Sequence, residues 1–183
     1  MAGFLGRWLS DALRLALSLV LALGAMQLPA VAHQYGAALL QVAEDGRRDI
    51  EQRKTSARRF YPVVGETDEA AITALRPVEP SNAQALEASV ERTRVLRAAH
   101  DRLEATSPLS RPLVAVLDAF EDPRGDKHAV LRTTLDTYTP QLLLSTASAT
   151  YGIAGLVLGS FIAEAVVSVV AAFVRRRDYT RVQ

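Results

Sequence analysis

The sequence predicts an all-α protein with a transmembrane helix near each end and an extracytoplasmic helical hairpin or small bundle between them. Two apolar blocks, 15–32 and 142–174, flank a polar segment that carries 15 of the 21 basic and 17 of the 20 acidic residues. No stretch of about four to eight residues alternates apolar and polar positions with the β-branched or aromatic enrichment typical of a strand. The pattern therefore indicates helices throughout.

The first block predicts a membrane helix over residues 15–32. The block contains no charged residue, and at about 1.5 Å per residue it spans roughly 27 Å, against a hydrocarbon core of about 30 Å. Cleavage as a signal peptide is the alternative, because Arg7 and Arg14 precede the block and Ala30 and Ala32 have the small-x-small spacing that signal peptidase accepts.

The second block predicts a membrane segment over residues 139–174, including its extracytoplasmic lead-in. Thr139 is the expected N-cap and Pro140 the expected first helical residue, and the apolar stretch ends at Arg175, Arg176 and Arg177. Residues 145–174 are more numerous than a core of about 30 Å requires, so we expect this helix to tilt or to project from the membrane.

The arginines that flank the two blocks predict the orientation. Arg7 and Arg14 precede the first block, and three arginines follow the second. Basic residues favour the cytoplasmic side, so both termini are expected in the cytoplasm of a bacterial inner membrane protein. The predicted segments are a cytoplasmic N-terminus (1–14), the first transmembrane helix (15–32), an extracytoplasmic helical domain (33–138), the second transmembrane helix with its lead-in (139–174), and a cytoplasmic basic tail (175–183).

The middle segment predicts a hairpin of two long helices with shorter helices packed against it. Helix periodicity and capping signals place helices at about 33–59, 68–76, 82–105, 112–120 and 127–138, with Thr67 and Ser81 as N-caps. The apolar stripe of the first long helix is Leu39, Ala43, Gly46, Ile50, Ala57 and Phe60, and that of the second is Leu86, Val90, Leu96, Ala99 and Leu103. The charged pairs Arg47–Arg48, Arg53–Lys54 and Arg58–Arg59 predict a solvated face with local ion pairs.

The layout resembles the DUF2937 family of bacterial membrane proteins over nearly the whole chain. The most specific part is a Q-x-P-x-x-x-x-Q-Y pattern formed by Gln27, Pro29, Gln34 and Tyr35, followed by a charged helical middle and Thr139-Pro140 before a glycine-rich apolar block. The resemblance implies that the first segment stays as an anchor. It implies no biochemical function and therefore no catalytic residues.

A face of small residues on the second block predicts close helix packing. Gly155 and Gly159 form a GxxxG pattern, and the whole face is Ser148, Gly152, Gly155, Gly159 and Ala163. Small residues at three-to-four spacing allow another helix to approach closely. The partner helix is either the chain's own first helix, which offers Ser18, Ala22 and Ala25, or another subunit.

Glu164 is the one acidic residue inside the second apolar block. It lies about 16 Å along the helix from Arg175, which predicts a position deep in the membrane. A carboxyl group there costs on the order of 3 kcal/mol unless it is paired or protonated. It is therefore either a proton relay, an ion ligand or a contact with a basic partner, or it is simply protonated and buried; Arg14 is the nearest intrachain cation but requires a shifted register.

Several classes of function are disfavoured by the sequence. A net charge of +1 provides no basic field for nucleic acid, and the lack of cysteine excludes thiolate sites. His33, His100 and His128 are too far apart in sequence for a local metal motif, and no phosphate-binding loop or nucleophile-elbow motif occurs. We therefore expect no enzyme activity, no cofactor, no metal and no nucleic-acid partner.

The leading hypothesis is a non-enzymatic, membrane-anchored scaffold or accessory subunit that contacts the lipid bilayer and either a protein partner or another copy of itself through the second transmembrane helix. The alternative is a small homo-oligomeric channel or transporter component in which Glu164 lines a pathway. A weaker hypothesis is an extracytoplasmic sensor, although the sequence offers no cytoplasmic output domain.

Overall fold

The computed structural model describes residues 2–61, 65–141 and 145–179, and their side chains between residues 7 and 170. Every regular element in these ranges is a helix, which confirms the all-α prediction. The elements are α1 (Ala2–Met26), α2 (Leu28–Phe60), α3 (Asp68–Leu75), α4 (Pro80–Ala105), α5 (Arg111–Phe120), α6 (Asp126–Asp136) and α7 (Thr146–Tyr179).

The chain divides into two compact units. Residues up to 30 and from 139 onward form one unit, which holds α1 and α7, and residues 31–138 form the other. Two helical stretches, within 7–60 and at 146–170, are long and apolar enough to cross a membrane.

The first apolar block is not one uninterrupted helix. A turn at Gln27 separates α1 from α2, and the Gln27 backbone N–H donates to the Gly24 carbonyl at 3.1 Å. Pro29 is the cause, because proline has no N–H and its ring clashes with the carbonyl four residues earlier in a continuous helix. In the first turn of α2 the same residue is tolerated, since an N–H there has no intrahelical acceptor.

The expected start of α7 at Thr139 and Pro140 is wrong. Neither residue is helical, and α7 begins at Thr146. The cap is Ser145, whose hydroxyl accepts from the Ser148 backbone N–H at 3.1 Å and satisfies a donor that the first turn leaves free. At the other end, the helical backbone continues through the three arginines to Tyr179.

The two predicted N-caps of the middle segment have opposite outcomes. Thr67 caps α3 as expected, because its hydroxyl accepts from the Ala70 backbone N–H at 3.2 Å. Ser81 does not cap α4, which begins one residue earlier at Pro80. Proline fits the first helical position, so Pro80 starts α4 instead of closing the preceding turn.

One end of the second unit has its core between α2 and α4, with α5 and α6 contributing. The buried residues are Ala32, Tyr35, Leu39, Ala43, Leu96, Ala99, Leu103, Ala115, Ala119 and Val130. His100 Nδ1 lies 2.9 Å from the Gly36 carbonyl oxygen, and Arg97 pairs with Glu44 at 2.5 Å. Residues later in α2 therefore contact residues earlier in α4, so the contacts between the two helices are in antiparallel order.

The other end of this unit has a second apolar core, which α3 completes. Its buried residues are Ile50, Ala57, Ala71, Ile72, Leu75, Ala83 and Leu86. Between the two cores, a Cβ added at Gly46 would lie 2.5 Å from the Thr93 hydroxyl oxygen, so α2 and α4 pack closely there. Phe60, which the sequence assigns to the apolar stripe, is instead exposed at the end of α2.

Candidate functional site: the pairing of α1 and α7

The small-residue face of α7 is covered by α1. Ser148, Gly152, Gly155, Gly159 and Ala163 are all buried. Opposite them on α1, Ser18 and Ala22 are buried and Ala25 is half-buried. Of the two partners that the sequence leaves open for this face, the structure places the chain's own first helix there.

The backbones of α1 and α7 approach closely at Gly155 and Gly159. A Cβ added at Gly155 would lie 2.7 Å from the Leu21 carbonyl oxygen and 3.0 Å from the Ala22 Cα. A Cβ at Gly159 would lie 2.8 Å from the Ser18 Cα. Backbone atoms cannot move aside as a side chain can, so these two positions require glycine.

Gly152 has a more permissive neighbour. A Cβ there would lie 2.7 Å from Cγ of Met26, which is part of a flexible side chain. Gly24 on α1 would meet nothing within 4 Å. An added Cβ would therefore meet backbone atoms at Gly155 and Gly159, a flexible side chain at Gly152 and no atom within 4 Å at Gly24.

Polar contacts fix the register of the two helices. Arg14 Nε lies 2.9 Å from Glu164 Oε2, and one turn further Ser18 Oγ lies 3.3 Å from Ser160 Oγ. At the far end, the Gln141 backbone N–H donates to Gln27 Oε1 at 3.1 Å. As the residue number rises on α1 it falls on the partner segment, so the pair is antiparallel.

Glu164 is neither buried nor unpaired. Its side chain is 61% exposed, and it shares the Arg14 guanidinium with Asp11, whose Oδ1 accepts from Arg14 Nη1 at 3.0 Å. The position deep in the membrane was inferred from α7 alone. The structure puts Glu164 level with Arg14, which the sequence analysis names as its nearest intrachain cation.

The remaining orientation residues are only partly described. Arg7 lies on α1 with an exposed side chain. Arg175, Arg176 and Arg177 lie on the helical backbone of α7, and their side chains fall outside the described part of the chain.

The comparisons with known proteins identify the family. A sequence model described as "Protein of unknown function (DUF2937)" matches residues 9–176. The chain belongs to the DUF2937 family. No curated protein and no solved structure matches this DUF2937 chain.

The outward surface of the α1–α7 pair is aliphatic and aromatic. Its exposed large residues are Trp8, Leu9, Leu13, Leu15, Leu19, Val20 and Leu23 on α1, and Ile153, Leu156, Val157, Leu158, Phe161, Ile162, Val166, Val169 and Val170 on α7. Exposed large apolar side chains in this number fit contact with lipid or with another helix. The DUF2937 pair therefore uses small residues inside and large apolar residues outside.

The three histidines have separate local surroundings. His100 contacts a backbone carbonyl of α2, whereas His128 packs beside Phe120 with ring centroids 6.2 Å apart. His33 is exposed on α2. Among the described residues, no group of three or more histidine or acidic side chains is arranged to hold a metal ion.

Two groups of buried charges in the second unit were not anticipated. Lys54 is only 2% exposed, and its Nζ donates to Asp68 at 2.8 Å and to Glu51 at 3.1 Å. Burial alone would raise the pKa of Asp68, but hydrogen bonds from Lys54 and Arg47 lower it below its ordinary value. This network joins α3 to α2, and it corrects the prediction that Lys54 lies on a solvated face.

The second group surrounds Asp118 on α5, whose side chain is 2% exposed. Its Oδ1 accepts from Arg102 Nη1 and forms an ion pair with Lys127 Nζ at 3.0 Å. Next to it, Asp122 accepts the backbone N–H groups of Lys127 and Arg124 at 2.5 and 3.2 Å. Burial raises the pKa of Asp122, but these backbone donors outweigh it and the net pKa is lowered. Asp122 thus caps the start of α6. Both buried charges occupy core-facing helical positions, Lys54 between Ile50 and Ala57 and Asp118 beside Ala115 and Ala119.

Proposed function

We propose that this DUF2937 protein is a non-enzymatic, membrane-anchored scaffold or accessory subunit of a bacterial inner-membrane complex. In this proposal α1 and α7 cross the membrane as one hairpin, both termini lie in the cytoplasm, and residues 33–138 form an extracytoplasmic helical hairpin or small bundle. The protein contacts the lipid bilayer and a protein partner.

The packing of α1 on α7 is the observation that carries the proposal. The small-residue face is occupied within the chain, so it stabilises the hairpin itself. The exposed aliphatic side chains of α1 and α7 remain available to contact lipid and a partner helix. A partner is therefore expected on the outward face of α1 or α7 and not on the glycine face.

The charges of the hairpin support its orientation. Arg14 and Glu164 neutralise each other at one level, beside the border of the uncharged block that begins at Leu15. We place this ion pair in the cytoplasmic half of the hairpin, with Trp8, 62% exposed and about two turns further along α1, closer to the interfacial region. Residues 165–174 of α7 then continue toward the cytoplasmic side of the membrane.

The second unit supports a role in binding a partner. The antiparallel order of contacts between α2 and α4 supports a helical hairpin, and α3, α5 and α6 contribute residues to its two apolar cores. The outer face of α5 exposes Leu113, Val116, Leu117 and Phe120, which lie at helical spacing. An exposed apolar face on a short amphipathic helix is typical of a protein interaction surface.

The experiment that tests the proposal is extraction of the chromosomally tagged protein from its native membrane in a mild detergent, followed by mass measurement of the intact complex. A defined heteromeric assembly with a fixed ratio of chains supports the accessory-subunit proposal. A stable monomer at endogenous expression contradicts it. A pure homo-oligomer instead favours the second candidate function.

The second candidate is a small homo-oligomeric channel or transporter component. The exposure of Glu164 on the outside of the hairpin favours it, because copies packed around an axis could turn this carboxylate toward a shared pathway. The test is proton or ion flux through reconstituted vesicles that contain the wild type, Glu164→Gln or the control Ser168→Ala. Flux that only Glu164→Gln abolishes supports this candidate, and a lack of flux in the wild type removes it.

A further inference from the structure

The apolar and polar faces of α5 are reversed with respect to the core of its unit. None of its buried residues has a large apolar side chain; they are Pro112, Ala115, Asp118 and Ala119. Val114 is half-buried and packs against the same core. The large apolar residues Leu113, Val116, Leu117 and Phe120 are exposed instead. Because hydrophobic stabilisation scales with the apolar area removed from water, the contact of α5 with the core is weakly stabilised.

The ion pairs of Asp118 add little to this contact. Arg102 on α4 is 59% exposed, so water can solvate its guanidinium group when Asp118 moves away. Lys127 on α6 is attracted by Asp122 as well as by Asp118, so it keeps a carboxylate beside it. The desolvation of buried charges offsets much of their attraction. Transfer of the Asp118 carboxylate into water is therefore not strongly opposed.

Two buried polar atoms lack partners where α5 meets α2. Tyr35 Oη and Asp118 Oδ2 are closed to water, and within the described ranges neither has a hydrogen-bond partner. Burial raises the pKa of Tyr35, and the nearby Asp118 carboxylate raises it further. A polar atom that is buried without a hydrogen bond destabilises the state that buries it. Detachment of α5 lets water reach both atoms, which favours the detached state.

We propose that α5 is a releasable helix. It detaches from the core through its flanking connections, 106–110 and 121–125, while α2 and α4 keep the apolar contacts between Leu39, Leu96 and Leu103. The docked form is the major state, and the released form is a minor state in equilibrium with it. Release uncovers the core around Tyr35, a surface that the docked form does not offer to a partner. This equilibrium belongs to the second unit and does not depend on the proposed scaffold function.

Hydrogen exchange of the wild-type chain in phosphatidylcholine nanodiscs measures the release without any substitution. After correction for intrinsic exchange rates, we expect the protected amides of α5 to open at least about tenfold more readily than those of α4 and α6. Tenfold corresponds to about 1.4 kcal/mol. A smaller difference from α4 shows that α5 opens only with the whole unit, and joint opening of α5 with α6 shows a larger rearrangement. Either result overturns the proposal.

Thiol labelling in the same nanodiscs measures the opening from the buried side. The chain has no native cysteine, so Ala115→Cys places a single thiol on the docked face of α5, at a position that is 3% exposed. Ala83→Cys, at a 1% exposed position of α4 in the other apolar core, reports the opening of the whole unit. We expect Ala115→Cys to react at least about tenfold faster than Ala83→Cys with a water-soluble thiol reagent. A smaller ratio contradicts the release of α5.

A matched pair of variants in the Ala115→Cys background separates the two faces of α5. Ala119→Gly removes a methyl group from the docked face and should speed labelling about fivefold or more, because it loses packing and weakens the helix. Leu113→Ala removes a larger group from a side chain that is 60% exposed and should change labelling by less than about twofold. The proposal is overturned if Ala119→Gly has no effect, or if Leu113→Ala speeds labelling as much, since the exposed face would then hold α5 in place.

Discussion

Arg14 on α1 and Glu164 on α7 are 150 residues apart in the sequence, and their Nε and Oε2 atoms lie 2.9 Å apart in the structure. With the Ser18–Ser160 contact one turn away, this pair fixes which residues of the two apolar helices are level with each other. The polar residues Arg14 and Ser18 of α1 therefore lie level with Glu164 and Ser160 of α7.

Replacement of one member of the Arg14–Glu164 pair should destabilise the hairpin about as much as replacement of both. Arg14→Gln leaves Glu164 without its cation, and Glu164→Gln leaves Arg14 with Asp11 alone, so each single variant already loses the ion pair between the two helices. We expect a coupling free energy of about 1 kcal/mol in a double-mutant cycle measured by reversible unfolding in bicelles. The control cycle pairs Arg14→Gln with Ser168→Ala, which should be additive. Additivity in the Arg14–Glu164 cycle would contradict the pairing.

Alanine at the four hairpin glycines should produce graded effects. Gly155→Ala and Gly159→Ala place a Cβ against the backbone of α1 and should each cost about 1–3 kcal/mol. Gly152→Ala should cost less, because the Met26 side chain can rotate away.

Gly24→Ala is the matched control for this series, since nothing lies within 4 Å of the added Cβ. It should be neutral or stabilise by up to about 1 kcal/mol, because alanine is the better helix former. The four variants are compared by the same reversible unfolding measurement. Equal effects at Gly24 and Gly155 would show that α1 does not cover this face.

The fold was largely predictable, because helix periodicity is a local property of the sequence. The bounds of α5 differ from the prediction by one residue, and Leu39, Leu86 and Leu103 are buried as their spacing predicts. The errors arose where two local signals compete. Pro29 and Pro80 each start a helix, and Ser145 caps α7 in place of Thr139.

The register of the hairpin could not be predicted, because it depends on contacts between residues far apart in the sequence. The small-residue face was visible, but the sequence offered two partners for it. Glu164 was assigned a depth from its distance to Arg175 on one helix. The sequence offers Arg14 as the nearest intrachain cation, but the register that brings the two side chains together is set by the packing of α1 on α7.

Lys54→Met should destabilise the contact between α2 and α3, because it removes the ion pair of Lys54 with Asp68. Removal of one partner from a buried ion pair leaves an uncompensated charge, and Asp68 would retain only Arg47. We expect a loss of about 2 kcal/mol, which is below the usual cost of about 3–5 kcal/mol because of that remaining contact. The measurement is hydrogen exchange of α2 and α3 by mass spectrometry.

The control for Lys54→Met is Arg53→Met, whose exposed side chain pairs with Asp49 across one turn. A surface ion pair of this kind contributes about 0.5 kcal/mol or less. Equal acceleration of exchange in Lys54→Met and Arg53→Met would contradict the structural role of the buried lysine.

Low pH should weaken the same contact between α2 and α3. The pKa of Asp68 is lowered in the folded state from its ordinary value of 3.8, so its contribution to stability is fully present above that value. This contribution is lost as pH falls through the lowered pKa, which places the effect below about pH 4. Hydrogen exchange of α3 between pH 5 and 2.5 should show an acid-dependent increase beyond the intrinsic exchange rate.

Asp68→Asn should remove most of this acid dependence and lower the stability at pH 5. Asp45→Asn is the control, since Asp45 is exposed and pairs with Arg48 on the same helix. If the acid dependence is unchanged in Asp68→Asn, other carboxylates cause it and the account of Asp68 is contradicted.

Disulfide cross-linking tests the pairing of α1 with α7 most directly. The chain has no native cysteine, so Ser18→Cys and Ser160→Cys introduce a single pair at a site where the two hydroxyl oxygens lie 3.3 Å apart. We predict rapid oxidation in native membranes to an intramolecular cross-link on a monomeric chain, and no such product from Ser18→Cys with Ser168→Cys. Covalent dimers, or equal reactivity of the two pairs, would contradict the hairpin.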